Sequence, residues 1–428
     1  MAPQFPHSRR QFVQTALAAA TFTGVLKLSA GCSQVERLQS QFNLPGGDRA
    51  ATYNILCCDG GGLKGLITAI ILERLEAKLA QASPDRARIK DHFQLFAGTS
   101  TGSIIACGLA KGIPATEIRR FYQEKAPQIF PDFRGLLTGF EDDLEQLGAQ
   151  LTKLKQQVGQ LVPKVFKRLF DPSRPALEEE SLTLETVLQE VFGATDSLDS
   201  LDRSLLAVAY DAYNRKPILL GNGAPQAGQL DARKANIWQV CRASSAVPGV
   251  FTSFFLDEAT LVQSIASSGY GEAATYQERS GLPLIDGAVV TNNPSLWAIQ
   301  EARAQTEKPL LVVSLGTGQM RTPFSPDDIA GWGLLDWFNP LKGLPMLEVM
   351  FSGNSDTVNS ISRQLLDQEG FGEYLRYQPD LNHDLVRDIS AFVSNADNLV
   401  KMETAARLYL EEQEGDRHLD ELVQRLVG

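Results

Sequence analysis

A serine hydroxyl is a poor nucleophile at neutral pH, so acyl transfer from it needs exposed placement, a base and donors for the developing oxyanion. The chain holds a candidate for each. Gly98-Thr99-Ser100-Thr101-Gly102 is a GxSxG sequence between a short apolar run and a helical pattern. In that setting a sharp strand-to-helix turn projects the serine, and the helix N-terminus lowers the cost of negative charge. Its two glycines are expected where side chains would collide with neighbouring backbone. Asp59-Gly60-Gly61-Gly62 follows another apolar run and opens another helix. Three successive glycines let backbone N–H groups turn toward one point, an oxyanion or a phosphate. The GxxxxGK[ST] pattern is absent, which excludes a P-loop. Asp286-Gly287-Ala288 sets a carboxylate after the apolar run Leu282 to Ile285, and Gly287 lets a second backbone come close.

The base decides the class of enzyme. A Ser-His-acid triad needs a histidine, and the chain has four: His7, His92, His383 and His418. His7 lies in the N-terminal segment, His92 at the start of the strand leading to Ser100, and His418 in a charged terminal helix. Only His383 completes the order Ser, Asp, His. Asn382-His383-Asp384 reads equally as a polar helix start, and Asp286 is the simpler base. No His/Cys/Asp cluster has ligand spacing, so neither metal nor cofactor is expected. Cys57, Cys58, Cys107 and Cys241 fall in apolar or helical patterns without CxxC spacing and read as buried packing residues.

These residues need rigid elements to hold them. From Tyr53 onward short apolar runs, glycine-rich turns and amphipathic helices alternate, the pattern of an α/β sheet covered on both faces. Strands are expected at Tyr53 to Cys58, Phe93 to Ala97, Leu205 to Tyr210, Pro217 to Leu220, Leu282 to Ile285 and Pro309 to Leu315. Helices are expected over Lys64 to Ala80, after Ser100, and around 343–368, 384–395 and 398–413. Leu144, Leu147, Leu151, Leu154, Val158 and Leu161 recur at steps of three and four, an amphipathic heptad seam in a helical insertion over 140–180. It reads as a helix packed on the body, a lid, a dimer seam or a membrane-lying helix.

The order DGGG, GTSTG, Ser-Ser-Ala-Val-Pro (244–248), DGA, Asn-Asn-Pro (292–294) and Leu-Gly-Thr-Gly (315–318) resembles the patatin-like phospholipases, over most of the chain from Tyr53. The resemblance implies a three-layer α/β fold with a central, mostly parallel sheet, a helical insertion and a helical C-terminal part. It also implies a Ser100–Asp286 dyad, an oxyanion hole of Gly60, Gly61 and Gly62 amides, and hydrolysis of membrane-lipid acyl esters without a metal. Lys64, Ser103 and Ala288 depart from the residues usual in the family. A Ser100-Asp286-His383 esterase and a non-catalytic lipid-binding envelope protein stand as alternatives.

Ser8-Arg9-Arg10-Gln11-Phe12-Val13 before an apolar stretch resembles a bacterial twin-arginine export signal, and Leu28 to Cys32 resembles a lipoprotein processing site. The expected organisation is an export signal over 1–31, a linker over 32–50 and an acyl hydrolase domain over 51–428. The protein is then exported to the cell envelope, anchored through an acylated Cys32. With 51 acidic against 40 basic residues the net charge is −11, and nucleic acid is not expected as a partner. The composition, 43% hydrophobic, suits an enzyme-sized globular core, and no 18-residue apolar run follows the first 35 residues.

Overall fold

Tyr53–Cys58 is an apolar run closed by the glycine loop, and it forms β1 with both faces covered, the environment of a central parallel strand. The structure, a computed structural model, describes residues 52–129, 175–225, 229–256, 281–320, 324–337, 345–367, 371–387 and 389–428. The export signal, Cys32 and the heptad seam Leu144 to Leu161 lie outside the described residues. The last residues of the expected insertion belong to the helix Pro175–Phe192.

Among the described residues eight strands form one sheet: β1 with β2 (Leu95–Thr99), β3 (Ser204–Asp211), β4 (Lys216–Gly221), β5 (Phe254–Leu256), β6 (Leu282–Asp286), β7 (Leu310–Leu315) and β8 (Gly372–Tyr377). The five central strands β3-β2-β1-β7-β8 are parallel, and β4, β5 and β6 pair antiparallel. Alternation along β1 divides the core. Leu56 and Cys58 join a large cluster under α1 (Gly65–Ala82), α2 (Thr101–Lys111), α3 (Ala115–Glu124), α4 (Pro175–Phe192) and α5 (Ile237–Ser244). Ile55 and Cys57 face a smaller cluster under α6 (Ser295–Gln305) and α7 (Pro345–Leu366). α8 (Ala396–Glu412) and α9 (Gly415–Val427) pack on α1. The result is the expected three-layer arrangement with a mostly parallel sheet. Cys57, Cys58, Cys107 and Cys241 are free and buried, as packing residues.

One expected element is absent. Among its described residues, the segment expected as a helix over 384–395 holds only a short turn at Asp384–Val386. Asn398 captures the backbone that follows, donating to the carbonyls of Ser390 and Val393 and accepting from the Ser390 amide. The Ala391 carbonyl accepts from the Leu63 amide. Bonds that a helix would make locally are given instead to a side chain and to the glycine loop.

Candidate active site

Strand register brings Ser100 and Asp286 together. β4 follows one edge of β3, while β2 and then β6 share the other edge. β2 ends with Thr99 opposite Val208, and β6 ends with Asp286 opposite the next residue, Ala209. Two strands far apart in sequence therefore finish head to head, and their terminal side chains meet.

Ser100 sits on the turn from β2 into α2 with φ 54 and ψ −128, a conformation that is costly for a non-glycine residue. Three groups hold it there. The Ser100 amide donates to Ser244 Oγ (2.9 Å), whose own proton goes to the Val208 carbonyl (2.6 Å). The Ser100 carbonyl accepts from the Ser103 amide (2.8 Å) and the Ser103 hydroxyl (2.6 Å). Ser103, where the family more often has glycine, thus adds a bond to the turn. A Cβ at Gly98 would run into the Gly102 carbonyl, and one at Gly102 into the Cys58 carbonyl, so both glycines are required by close backbone approach. Gly287 is needed likewise against the Val208 carbonyl.

Asp286 is fully buried and its two oxygens are both engaged. Oδ2 accepts from Ser100 Oγ at 2.6 Å, and Oδ1 accepts from the Ala288 amide at 2.7 Å. Its amide donates to the Ala246 carbonyl (3.0 Å), so the Ser-Ser-Ala-Val-Pro segment fixes both partners. Burial raises the carboxyl pKa to about 7, against the lowering effect of those two hydrogen bonds. The direct bond leaves no place for an imidazole between Ser100 and Asp286. His383 is exposed, its Nδ1 accepting from the Leu385 amide, so the Ser100-Asp286-His383 arrangement is not formed. His92 is buried away from the turn, with Nε2 against the Arg86 carbonyl.

The glycine loop lies against Ser100. The Gly60 amide donates to the Asn292 carbonyl at 3.1 Å, which corrects the expected donor set. The amides of Gly61 and Gly62 meet no acceptor among the described residues. Gly62 has φ +56, the left-handed region that glycine tolerates, and Thr317 donates to the Gly60 carbonyl at 3.1 Å. At the base of the loop, buried Asp59 takes a bidentate pair from Arg376 (2.8 and 2.5 Å) and a bond from Ser355 Oγ (3.0 Å). Burial alone would lower the Arg376 pKa, but Asp59 overcomes it and the pKa is raised. Among the described residues no group of three His, Cys, Asp or Glu could hold a metal.

Sequence reasoning brought together Ser100, Asp286 and the loop, but gave no role to Ser244 or Thr317 and passed over Ser355 and Arg376. Arg376 lies on β8 and meets Asp59 across 317 residues, a pairing that no local spacing could signal.

Residues 56–298, more than half of the chain, match the family described as Patatin-like phospholipase. Patatin-like protein 2 of Arabidopsis thaliana is 28% identical over 372 residues, covering 81% of each chain. A Solanum tuberosum protein described as probable inactive patatin-3-Kuras 1 is 26% identical over 349 residues, covering 76% of this chain and 78% of its own. Among solved structures, VipD from Legionella pneumophila matches with a TM-score of 0.34 and 14% identity, over 83% of this chain and 67% of its own.

Proposed function

Because the chain belongs to the patatin-like phospholipase family, we propose that it hydrolyses acyl esters of membrane lipids, with Ser100 as nucleophile and Asp286 as base. One relative carries the description probable inactive, so activity is argued from geometry rather than membership. The observation that carries it is the 2.6 Å bond from Ser100 Oγ to a buried carboxylate whose pKa is pushed up to about 7. A base of that strength is matched to neutral pH, whereas an ordinary aspartate would be too weak an acceptor.

Ser100 Oγ attacks the ester carbonyl carbon while its proton passes to Asp286 Oδ2. The oxyanion is met by the Gly61 and Gly62 amides, which are donors in place before the charge develops. Collapse breaks the carbonyl–alcohol bond, and the proton on Asp286 goes to the departing alcohol oxygen. Water then attacks the acyl carbon and gives one proton to Asp286; the bond from acyl carbon to Ser100 Oγ breaks, that proton returns to Oγ, and the fatty acid leaves. On the same reading the chain acts at a membrane, exported and held there by an acylated Cys32.

A serine-directed fluorophosphonate tests the reading: labelling should fall on Ser100 and disappear in Ser100→Ala. Lipids recovered from membranes treated with wild type and with Ser100→Ala then name the substrate. Equal fatty-acid release by the two proteins would overturn it.

A further inference from the structure

The glycine loop is backed by a hydrogen-bond chain whose direction can be read. Asp59 accepts from the Arg376 guanidinium on both oxygens and from Ser355 Oγ at 3.0 Å. A hydroxyl has one proton, so Ser355, having given it to Asp59, must accept from its other neighbour, Asn292 Nδ2, at 3.0 Å. The amide orientation of Asn292 follows from this chain. Its nitrogen faces Ser355, and its carbonyl oxygen faces the other way. Asn292 Oδ1 is buried and meets no donor among the described residues. A Cβ built on Gly60 would lie 2.5 Å from Asn292 Oδ1 and 3.2 Å from Ser100 Cβ, so this oxygen and the Ser100 side chain flank one face of Gly60.

Resting on the function proposed above, we propose that Asn292 Oδ1 accepts a hydrogen bond from the water that attacks the acyl-enzyme, and is a catalytic residue of the second half-reaction. The two half-reactions make different demands. In the first, the attacking hydroxyl of Ser100 has a single proton, and Asp286 Oδ2 takes it. In the second, the attacking water has two. Asp286 Oδ2, the oxygen bonded to Ser100, takes one of them, while Oδ1 is turned to the Ala288 amide. The Gly61 and Gly62 amides can only donate. An O–H left without an acceptor in a buried site costs about 1–3 kcal/mol. Asn292 Oδ1 supplies that acceptor and fixes the attack direction. Water oxygen bonds to the acyl carbon, one proton passes to Asp286 Oδ2, and the other stays on the water oxygen, hydrogen-bonded to Asn292. The bond from acyl carbon to Ser100 Oγ breaks, the Asp286 proton returns to Oγ, and the carboxylic acid leaves.

The test measures the half-reactions separately with a p-nitrophenyl ester. Acylation is followed as p-nitrophenolate release in single turnover with excess enzyme, and deacylation as decay of the acyl-Ser100 mass adduct. Asn292→Ala should slow adduct decay by about 10- to 100-fold, the rate equivalent of one lost acceptor, while acylation changes by less than about threefold. Ser355→Ala frees the amide to rotate without touching Ser100, and should show the same split with a smaller factor. The proposal is overturned if both variants slow the two half-reactions equally, the mark of a merely structural role, or if adduct decay is unchanged. Failure of the underlying reading looks different, as no acyl adduct would form on Ser100 in the wild type.

Discussion

On the proposed function, the single residue Asp286 carries both the chemistry and its cost. A carboxyl whose pKa is about 7 when folded and 3.8 when unfolded binds more protons in the folded state between those values. Stability is therefore lost as pH rises through that window, and above about 7 the full penalty, on the order of 4 kcal/mol, is present. Two outcomes follow. The kcat/KM for a soluble ester should rise tenfold per pH unit below about 7 and level off above it, because only the carboxylate accepts the Ser100 proton. A profile already flat from pH 5 would remove Asp286 as the base. Asp286→Asn should abolish hydrolysis yet unfold at a higher temperature than wild type at pH 8, with the advantage vanishing near pH 4. Asparagine can still accept from the Ala288 amide and carries no buried charge. Equal melting curves at pH 8 would show that the carboxyl is not under strain. Both Ser100 and Asp286 were legible in the sequence because each stands on a glycine-flanked turn after an apolar run. Asn292 was visible only as part of a motif, since its role depends on which way an amide faces.

At the scale of elements, the site depends on where strands stop and on what braces the loops between them. The strands expected at 53–58, 205–210, 217–220, 282–285 and 309–315 form within one residue at either end, because buried strands of an α/β sheet read as apolar runs bounded by turns. β2 forms two residues later than expected and ends at Thr99, directly before Ser100. β8 was not legible. Gly372–Tyr377 holds Glu373 and Arg376, and its pairing with β7 and its ion pair with Asp59 arise only in three dimensions. The same holds for the missing helix over 384–395, whose backbone is claimed by Asn398 and by Leu63. Arg376 is the brace that sequence could not show. Removing one partner of a buried ion pair leaves an uncompensated charge, so Arg376→Ala should cost about 3–5 kcal/mol in urea unfolding. Asp59→Ala should cost a similar amount, and the double variant less than the sum. Additive losses would mean that the two residues act separately.

At the scale of the whole molecule, the question is how a protein of net charge −11 reaches lipid. Anionic membrane surfaces attract basic segments, so the proposed contact with a membrane would come from apolar surface or from an anchor. Among the described residues, an apolar region on α7 runs up to the site. α7 begins Pro345-Met346-Leu347-Glu348-Val349-Met350, with Val349 and Met350 exposed, and continues to Asn354 and Ser355 behind the glycine loop. Trp332 and Trp337 are half-buried and pack edge to face with ring centroids 5.0 Å apart. Nearby in sequence, Ile329 is an exposed large apolar side chain. Each Val or Met side chain fully withdrawn from water contributes about 1.5–3 kcal/mol. Replacing both Val349 and Met350 by Glu should therefore lower hydrolysis of zwitterionic vesicles by roughly tenfold or more, while activity on dispersed short-chain esters is kept. Added salt should change neither rate much, since the contact is apolar rather than ionic. Cys32→Ser separates the two routes. If an acyl anchor at Cys32 holds the protein, that variant leaves the membrane fraction of its host with its soluble-ester activity intact. If α7 alone supplies the contact, the cysteine variant stays bound and only the Val349, Met350 variant is released. Vesicle activity unaffected by the α7 changes would exclude this face from the lipid contact.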